Sequence, residues 1–198
     1  CEKCKDGHIY NVVTNKCMKK SFPLSSLIFV ETLVHRMSKI YKKNIDAFIL
    51  PSQFYLNKFI AWGWEPDRLI HIPNFVNTTA LKPNYQPGQY FVFFGRLSKE
   101  KGVKTLIQAA NEANVELKII GRGPLEEELK VLAASLGANV TFLGFRTGAA
   151  LHQIISNARA VVLPSEWYEN APMSVMESYA LGKPVIGANI GGIPELIR

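Results

Sequence analysis

The sequence predicts an α/β protein: a doubly wound parallel sheet in the second half of the chain, preceded by part of another α/β unit. Two observations carry this. From about residue 46 onward, short continuous apolar runs alternate with helical patterns of ten or so residues. Continuous apolar strands, rather than strands that alternate apolar and polar, belong to parallel sheets covered on both faces. The composition agrees: 198 residues, 47% hydrophobic and 20% charged, describe ordinary globular structure and exclude disorder, collagen and coiled coil. No apolar run approaches the roughly 20 residues that span a bilayer, so no transmembrane helix is expected.

Taken in order, the chain opens on the polar stretch Cys1-Glu2-Lys3-Cys4-Lys5-Asp6, which is no signal peptide. The lack of an initiating Met points to a fragment of a longer protein, with room for a signal upstream. Cys1-x2-Cys4 has the spacing of half a zinc knuckle. Cys17 or His8 would supply a third ligand of a structural metal site; the other reading is three reduced thiols of an intracellular protein. From residue 22 a helical pattern begins, with Leu24, Leu27, Ile28, Val30, Leu33, Val34, Met37 and Tyr41 interleaved by Arg36, Lys39, Lys42 and Lys43. Such a helix either packs on its own domain, the favoured reading, or lies on a membrane surface. Residues 1–43 hold nine Lys/Arg against three Asp/Glu, whereas the rest of the chain is nearly balanced. A basic excess confined to one end does not describe a nucleic-acid surface.

A strand is expected at 47–50, a helix over 52–62 and a strand at 69–72. Proline-rich 73–88 reads as a linker. Strands then follow at 90–94, 116–120, 139–143, 160–163 and 184–187, with helices at about 102–113, 124–136, 148–157 and 173–181. The division is therefore 1–86, with its cysteine-bearing basic segment 1–43, and 87–198. Doubly wound sheets bind ligands beyond the carboxyl ends of their strands, and the residues at those ends are the ones to inspect.

After the first strand of the second domain comes Gly95-Arg96-Leu97-Ser98-Lys99-Glu100-Lys101-Gly102. The forked cation Arg96 and the point charge Lys101, beside a glycine that lets backbone approach a ligand, suit a diphosphate. The next junction, Gly121-Arg122-Gly123-Pro124, is a tight loop presenting N–H groups, but it is no nicotinamide fingerprint. Glu126, Glu127 and Glu128 in the following first turn are structural complements to the helix dipole. The densest junction runs Pro164-Ser165-Glu166-Trp167-Tyr168-Glu169-Asn170-Ala171-Pro172-Met173-Ser174-Val175-Met176-Glu177. Pro172 suits a first helical turn, which leaves Glu169 in the loop and Glu177 on the helix, with free amides near Ala171, Met173 and Ser174. Glu177 lies among apolar neighbours, and a buried carboxylate needs a partner; a ligand hydroxyl is one. Gly191 and Gly192 precede a further helix start.

These residues carry a resemblance. Gly95-Arg96-x4-Lys101-Gly102, Gly121-x-Gly123-Pro124, Pro164-Ser165 with Glu169-x7-Glu177, Gly182-x-Pro184-Val185 and Gly191-Gly192-x-Pro194-Glu195, in this order, resemble the donor domain of retaining glycosyltransferases of family 4, which have the two-Rossmann-domain GT-B architecture. The likeness covers about 90–198, and 46–86 is similar to the end of the family's N-terminal, acceptor-side domain and hinge. It implies a UDP- or GDP-sugar donor, transfer with retention to a glycan or lipid-linked acceptor in glycan or polysaccharide biosynthesis, and no required cofactor or catalytic metal. Arg96 and Lys101 would then bind the diphosphate and stabilise charge on the leaving group. Glu169 would hold the transferred sugar, and Glu177 the ribose. Gly95, Gly121, Arg122, Gly123, Phe145, Asn170, Ala171, Met173 and Ser174 would complete the donor site, with Arg122–Pro124 and Phe142–Arg146 bordering the base. Where many relatives have Gly-Phe-Gly after the first glutamate, this chain has Asn170-Ala171-Pro172-Met173, so sugar choice is open. A sugar-nucleotide epimerase or phosphorylase on the same architecture, or a non-catalytic nucleotide-binding module, are the competing readings. The expected location is the cytoplasm, with the basic helix leaving peripheral attachment to the inner membrane face open. With much of the acceptor-side domain missing, catalysis by this fragment alone is not expected.

Overall fold

The computed structural model describes residues 2–197. The chain forms two compact units. One comprises the residues up to Leu50 together with Leu56–His71; the other comprises Pro51–Tyr55 and the residues from Ile72 onward.

In the first unit, a short α1 (Asn11–Thr14) packs on the long α2 (Phe22–Ser38). Helix α2 begins where Ser21, in extended backbone, accepts a hydrogen bond from the Leu24 amide, the usual role of a serine cap. The single helix expected to about residue 43 is broken in two. Lys39 adopts a left-handed conformation (φ 53°), closing α2 and starting α3 (Ile40–Asn44). The packing expected for the apolar residues of α2 is also not what forms: Leu27, Val30, Val34 and Met37 are each more than half exposed. Strand β1 (Phe48–Leu50) pairs in parallel with β2 (Leu69–His71), Phe48 opposite Leu69. Between them runs α4 (Gln53–Ala61), whose Phe59 stacks with Phe48 and Trp64. Arg68 ties the unit together by donating to the carbonyls of Lys42 and Ile45. No helix among the described residues is long and apolar enough to cross a membrane.

The second unit is built on a five-stranded, all-parallel sheet: β3 (Phe91–Phe94), β4 (Leu117–Ile120), β5 (Val140–Gly144), β6 (Ala160–Leu163) and β7 (Val185–Gly187). The spatial order is β5-β4-β3-β6-β7. The chain winds outward from β3 in one direction, returns, and winds outward in the other, so the order reverses between β3 and β6. Successive strand residues face opposite sides, and two cores result. Phe93, Leu117 and Ile119 pack under α5 (Val103–Glu112) and α6 (Glu126–Leu136). Val92, Ile120 and Val161 pack under α7 (Gly148–Ser156), α8 (Met173–Ala180) and the short α9 (Ile193–Leu196). Glu126 and Glu127 open α6 and pair with Lys130. Residues 72–88 run over this unit: the Asn84 amide donates to Leu181 O and its side chain to Ser156 O. Buried Lys183 donates to Gln86 O at 2.6 Å, and burial pushes its ammonium below the ordinary lysine range.

Candidate active site

The reversal of strand order between β3 and β6 leaves a crevice at their carboxyl ends, because the loops after these two strands turn to opposite faces. The loop after β3 carries Gly95–Gly102, and the loop after β6 carries Pro164–Pro172. The two glycine-bearing loops after β3 and β4 lie one on the other. Gly95 N donates to Ile120 O, Leu97 N to Arg122 O and Gly121 N to Gly144 O. A Cβ at Gly121 would fall 1.8 Å from Gly95 O, and one at Gly123 would fall 2.2 Å from Leu97 O. The absence of side chains at these two positions is therefore needed by the protein's own backbone, and the Gly121 amide is already engaged. A shift of register in β5 opposite Ile119 and Ile120 lets Gly144 reach that amide. The same strand end leads into the Phe145–Thr147 loop. Together these loops enclose a cavity of about 540 Å3 lined by Gly95, Arg96, Gly121, Arg122, Phe145, Arg146, Thr147 and Leu151, among others. Three arginines and an aromatic ring in one hollow suit an anion attached to a flat ring.

Beside it, the loops after β3 and β6 meet directly. Lys101 Nζ donates to Glu169 Oε1 at 2.6 Å, and Ser165 Oγ donates to the same oxygen at 2.7 Å. Both charged side chains are largely sheltered, Lys101 27% and Glu169 16% exposed. This separates the pair from the freely solvated surface bridges that contribute little. Between the two cations, Glu100 accepts from Ser98 Oγ at 2.6 Å. That bond, reinforced by Arg96 and Lys101, holds its carboxyl below the usual range. The backbone at Glu169 and Asn170 is clamped from behind. Gly192 N donates to Glu169 O at 2.7 Å, and a Cβ on Gly192 would sit 1.8 Å from Asn170 O. Asn170 Oδ1 accepts from the buried Ser52 hydroxyl at 2.6 Å, Ala171 O accepts from Asn74, and Tyr168 stacks on Phe54 at 5.0 Å. Glu195 accepts from the amides of both Gln53 and Phe54.

Helix α8 starts at Met173, where it was expected, with Pro172 as its cap residue rather than inside its first turn. Among the described residues no side chain caps it; the amides of Met173 and Ser174, in the first turn, have no intrahelical acceptor, and the Ala171 N–H has no acceptor among the described residues. Glu177, in the second turn, is half-buried rather than buried. Its carboxylate makes no hydrogen bond or ion pair among the described residues, and it does not line the arginine-rich cavity. Of the residues singled out from sequence, the fold joins Lys101 to Glu169 and gathers Gly95, Arg96, Gly121, Arg122 and Phe145. Asn170, Ala171, Met173, Ser174 and Glu177 sit on the adjoining loop and helix. Sequence reasoning had Arg146 only as the end of a loop bordering the base, and it missed Thr147 and Leu151 as lining residues and Ser52, Ser165 and Glu195 as supports. Ser165 and Glu195 stood inside recognised motifs without an assigned role, whereas Ser52 is marked locally only as the serine before α4, whose hydroxyl accepts from Tyr55 N at 3.2 Å, and nothing local marks its bond to Asn170. In the proposed metal group, Cys1 lies outside the described residues, and Cys4 and Cys17 are free thiols. Cys17 donates weakly to Asn11 O at 3.8 Å. Among the described residues, no three His, Cys, Asp or Glu side chains are grouped to hold a metal ion.

A doubly wound unit with charged groups gathered at its switch point defines an open α/β domain with a ligand crevice at its strand ends, and comparison with known proteins identifies it further. The model of the family described as glycosyl transferases group 1 matches residues 80–198, and the chain belongs to that family. An uncharacterized glycosyltransferase of Methanocaldococcus jannaschii is 36% identical over 113 residues, covering 54% of this chain and 29% of that protein. The amylovoran biosynthesis glycosyltransferase AmsK of Erwinia amylovora is 30% identical over 171 residues, 77% of this chain and 42% of its own length. Among solved structures, Anabaena HepE in complex with UDP and glucose superimposes with a TM-score of 0.72 at 25% identity, over 82% of this chain and 50% of that one. The chain thus spans about half the length, or less, of the relatives it matches.

Proposed function

We propose that the protein containing this chain is a retaining glycosyltransferase of the GT-B, family 4 type, moving a sugar from a UDP- or GDP-sugar to a glycan or lipid-linked acceptor in polysaccharide assembly. The observation that carries the reading is the sheltered Lys101–Glu169 pair, held by Ser165 at the switch point beside a cavity lined by Arg96. In this reading the base and diphosphate enter that cavity. Phe145 borders the base, and Arg96, Arg122 and Lys101 neutralise the diphosphate as the bond to the sugar lengthens, worth about 3–4 kcal/mol per well-placed donor. Lys101 exchanges part of its bond to Glu169 for phosphate oxygen, which frees Glu169 to accept from sugar hydroxyls. Glu177, without a partner among the described residues, accepts from the ribose, and the uncapped amides of α8 face the anion. With cations of the chain supplying the positive charge, no metal is required for transfer. The UDP and glucose bound to the Anabaena neighbour, and the polysaccharide role of the Erwinia relative, support the donor class and the setting. The location proposed is the cytoplasm or the inner face of its membrane, at which the exposed apolar residues of α2 would attach the protein peripherally.

Calorimetric titration of the chain with UDP-, GDP- and ADP-sugars tests the reading. One of the first two is expected to bind; Arg96→Ala weakens it at least tenfold, about 1.4 kcal/mol, and Glu177→Ala removes the accompanying rise in melting temperature. Absence of binding by every sugar nucleotide at millimolar concentration overturns it.

A further inference from the structure

The first unit contains a cavity of about 940 Å3, near the upper end of the range for small-molecule sites, and it shares no lining residue with the arginine-rich cavity of the second unit. Two kinds of side chain distinguish it. Tyr41 and Trp62, each about half exposed, offer flat apolar surface, and Tyr41 is fixed by a 3.2 Å hydrogen bond and an edge-on ring contact to His35. Lys5, Arg36 and Lys39 line the same hollow without a carboxylate partner among the described side chains. Of the carboxylates present, Glu65 is shared between Lys42 and Arg68, which leaves Glu31 alone against the three cations. Lys39 also holds a left-handed backbone conformation that chains usually assign to glycine or asparagine. At this turn a lysine costs more than glycine would, as at Lys16, Lys19 and Lys20, which hold the same conformation away from the lining; at position 39 the side chain adds a long cation to it.

We infer that this cavity is a binding site for an anionic carbohydrate, a sugar bearing a carboxylate or a phosphate. The C–H face of a pyranose lies against Tyr41 and Trp62 while the anion meets Lys5, Arg36 and Lys39 as charge-assisted hydrogen bonds. A neutral sugar leaves three cations uncompensated, and a bare inorganic anion leaves the aromatic walls wet. The choice of a carbohydrate over other ring-bearing anions rests on the glycosyl-transfer reading; the aromatic and cationic geometry does not.

The test uses the chain carrying Trp167→Phe, so that Trp62 and Trp64 alone report by fluorescence. The probes are a glucuronate-containing tetrasaccharide, its carboxyl-reduced neutral counterpart, and glucose 6-phosphate. The charged tetrasaccharide or the sugar phosphate is expected to quench, and the tighter of the two identifies the anion; the neutral tetrasaccharide binds at least tenfold more weakly. Lys39→Gly is expected to weaken binding at least fivefold while the melting temperature stays level or rises, since glycine suits the left-handed turn. Arg96→Ala leaves this affinity unchanged, and Lys39→Gly leaves sugar-nucleotide binding unchanged, so the two sites fail independently. Equal affinity for charged and neutral tetrasaccharides, no loss in Lys39→Gly, or binding of phosphatidylglycerol vesicles without either anionic sugar overturns the proposal.

Discussion

The two units treat apolar surface in opposite ways. In the second, both faces of a five-stranded sheet are covered by helices, and each face closes over its own buried cluster. In the first, a parallel pair of strands buries only Leu50 and Leu69 among its described apolar side chains, while α2 leaves Leu27, Val30, Val34 and Met37 more than half in solvent. Two strands cannot make a face broad enough to bury a core, whereas five with helices on either side can. The difference matters for chemistry, because loops hold a charged pair such as Lys101–Glu169 to a fixed distance only when the strand ends beneath them are immobile. The contrast predicts its own largest effect. Phe93→Ala, in the fully buried cluster under α5 and α6, is expected to cost about 3–5 kcal/mol, whereas Leu27→Ala on α2 changes stability by no more than about 0.5 kcal/mol. Urea unfolding of the two variants, followed by far-UV circular dichroism so that the helices of both units report, reads this. Comparable costs at the two positions would break the contrast.

The same asymmetry governs what could be read from the amino acids. Each strand of the second unit was legible because burial on both faces demands uninterrupted apolar runs, and Phe91–Phe94 or Ala160–Leu163, too short for a buried helix and bounded by glycine or proline, read as such strands. The carboxyl-end loops follow from that order, so Arg96, Lys101, Glu169 and Arg122 could be singled out before any coordinates. What was not legible depends on backbone placement. That Gly121 and Gly123 are needed for one loop to lie against another, and that Asn170 gives its side-chain oxygen to a serine 118 residues away, leave no local pattern. In the first unit the helical period ran on through Lys39, since periodicity records side-chain spacing and is blind to a single left-handed residue. The buried fate assumed for its apolar stripe failed for a related reason: periodicity shows that a helix has a face, not what covers it.

That distant serine offers a sharper and smaller test of how the second unit supports its site. Ser52→Ala leaves Asn170 Oδ1 without its donor, and a sheltered acceptor stripped of its partner costs about 1–3 kcal/mol. Because the two residues act through one bond, the double variant with Asn170→Ala is expected to cost less than the sum of the single variants by about 1 kcal/mol. Sugar-nucleotide affinity should fall in Ser52→Ala, although Ser52 itself lines no part of the arginine-rich cavity. Strict additivity in the cycle, with unchanged affinity, would mean that the Glu169–Asn170 loop keeps its place without this support.

The smallest expected difference between the units is one of pH. Serine supports local structure in both, but by different means. Ser21 accepts from the neutral Leu24 amide at the start of α2, so Ser21→Ala is expected to cost about 1 kcal/mol equally at pH 4 and pH 7. Ser98 instead donates to the Glu100 carboxylate, the first cause of that group's lowered value. A carboxyl held below its ordinary value of 4.5 contributes stability that is complete above that value and is lost as pH falls through the lower, folded one. Above pH 5 Ser98→Ala therefore carries its full cost, and on acidification the gap to the parent narrows, because the parent loses the Ser98–Glu100 contribution that the variant already lacks. Denaturant midpoints measured from pH 6 to pH 3 should converge for Ser98→Ala and stay parallel for Ser21→Ala. Were the Ser98→Ala curve parallel as well, the Glu100 backbone amide and the neighbouring cations Arg96 and Lys101, rather than the serine, would be what holds Glu100 ionised beside the site.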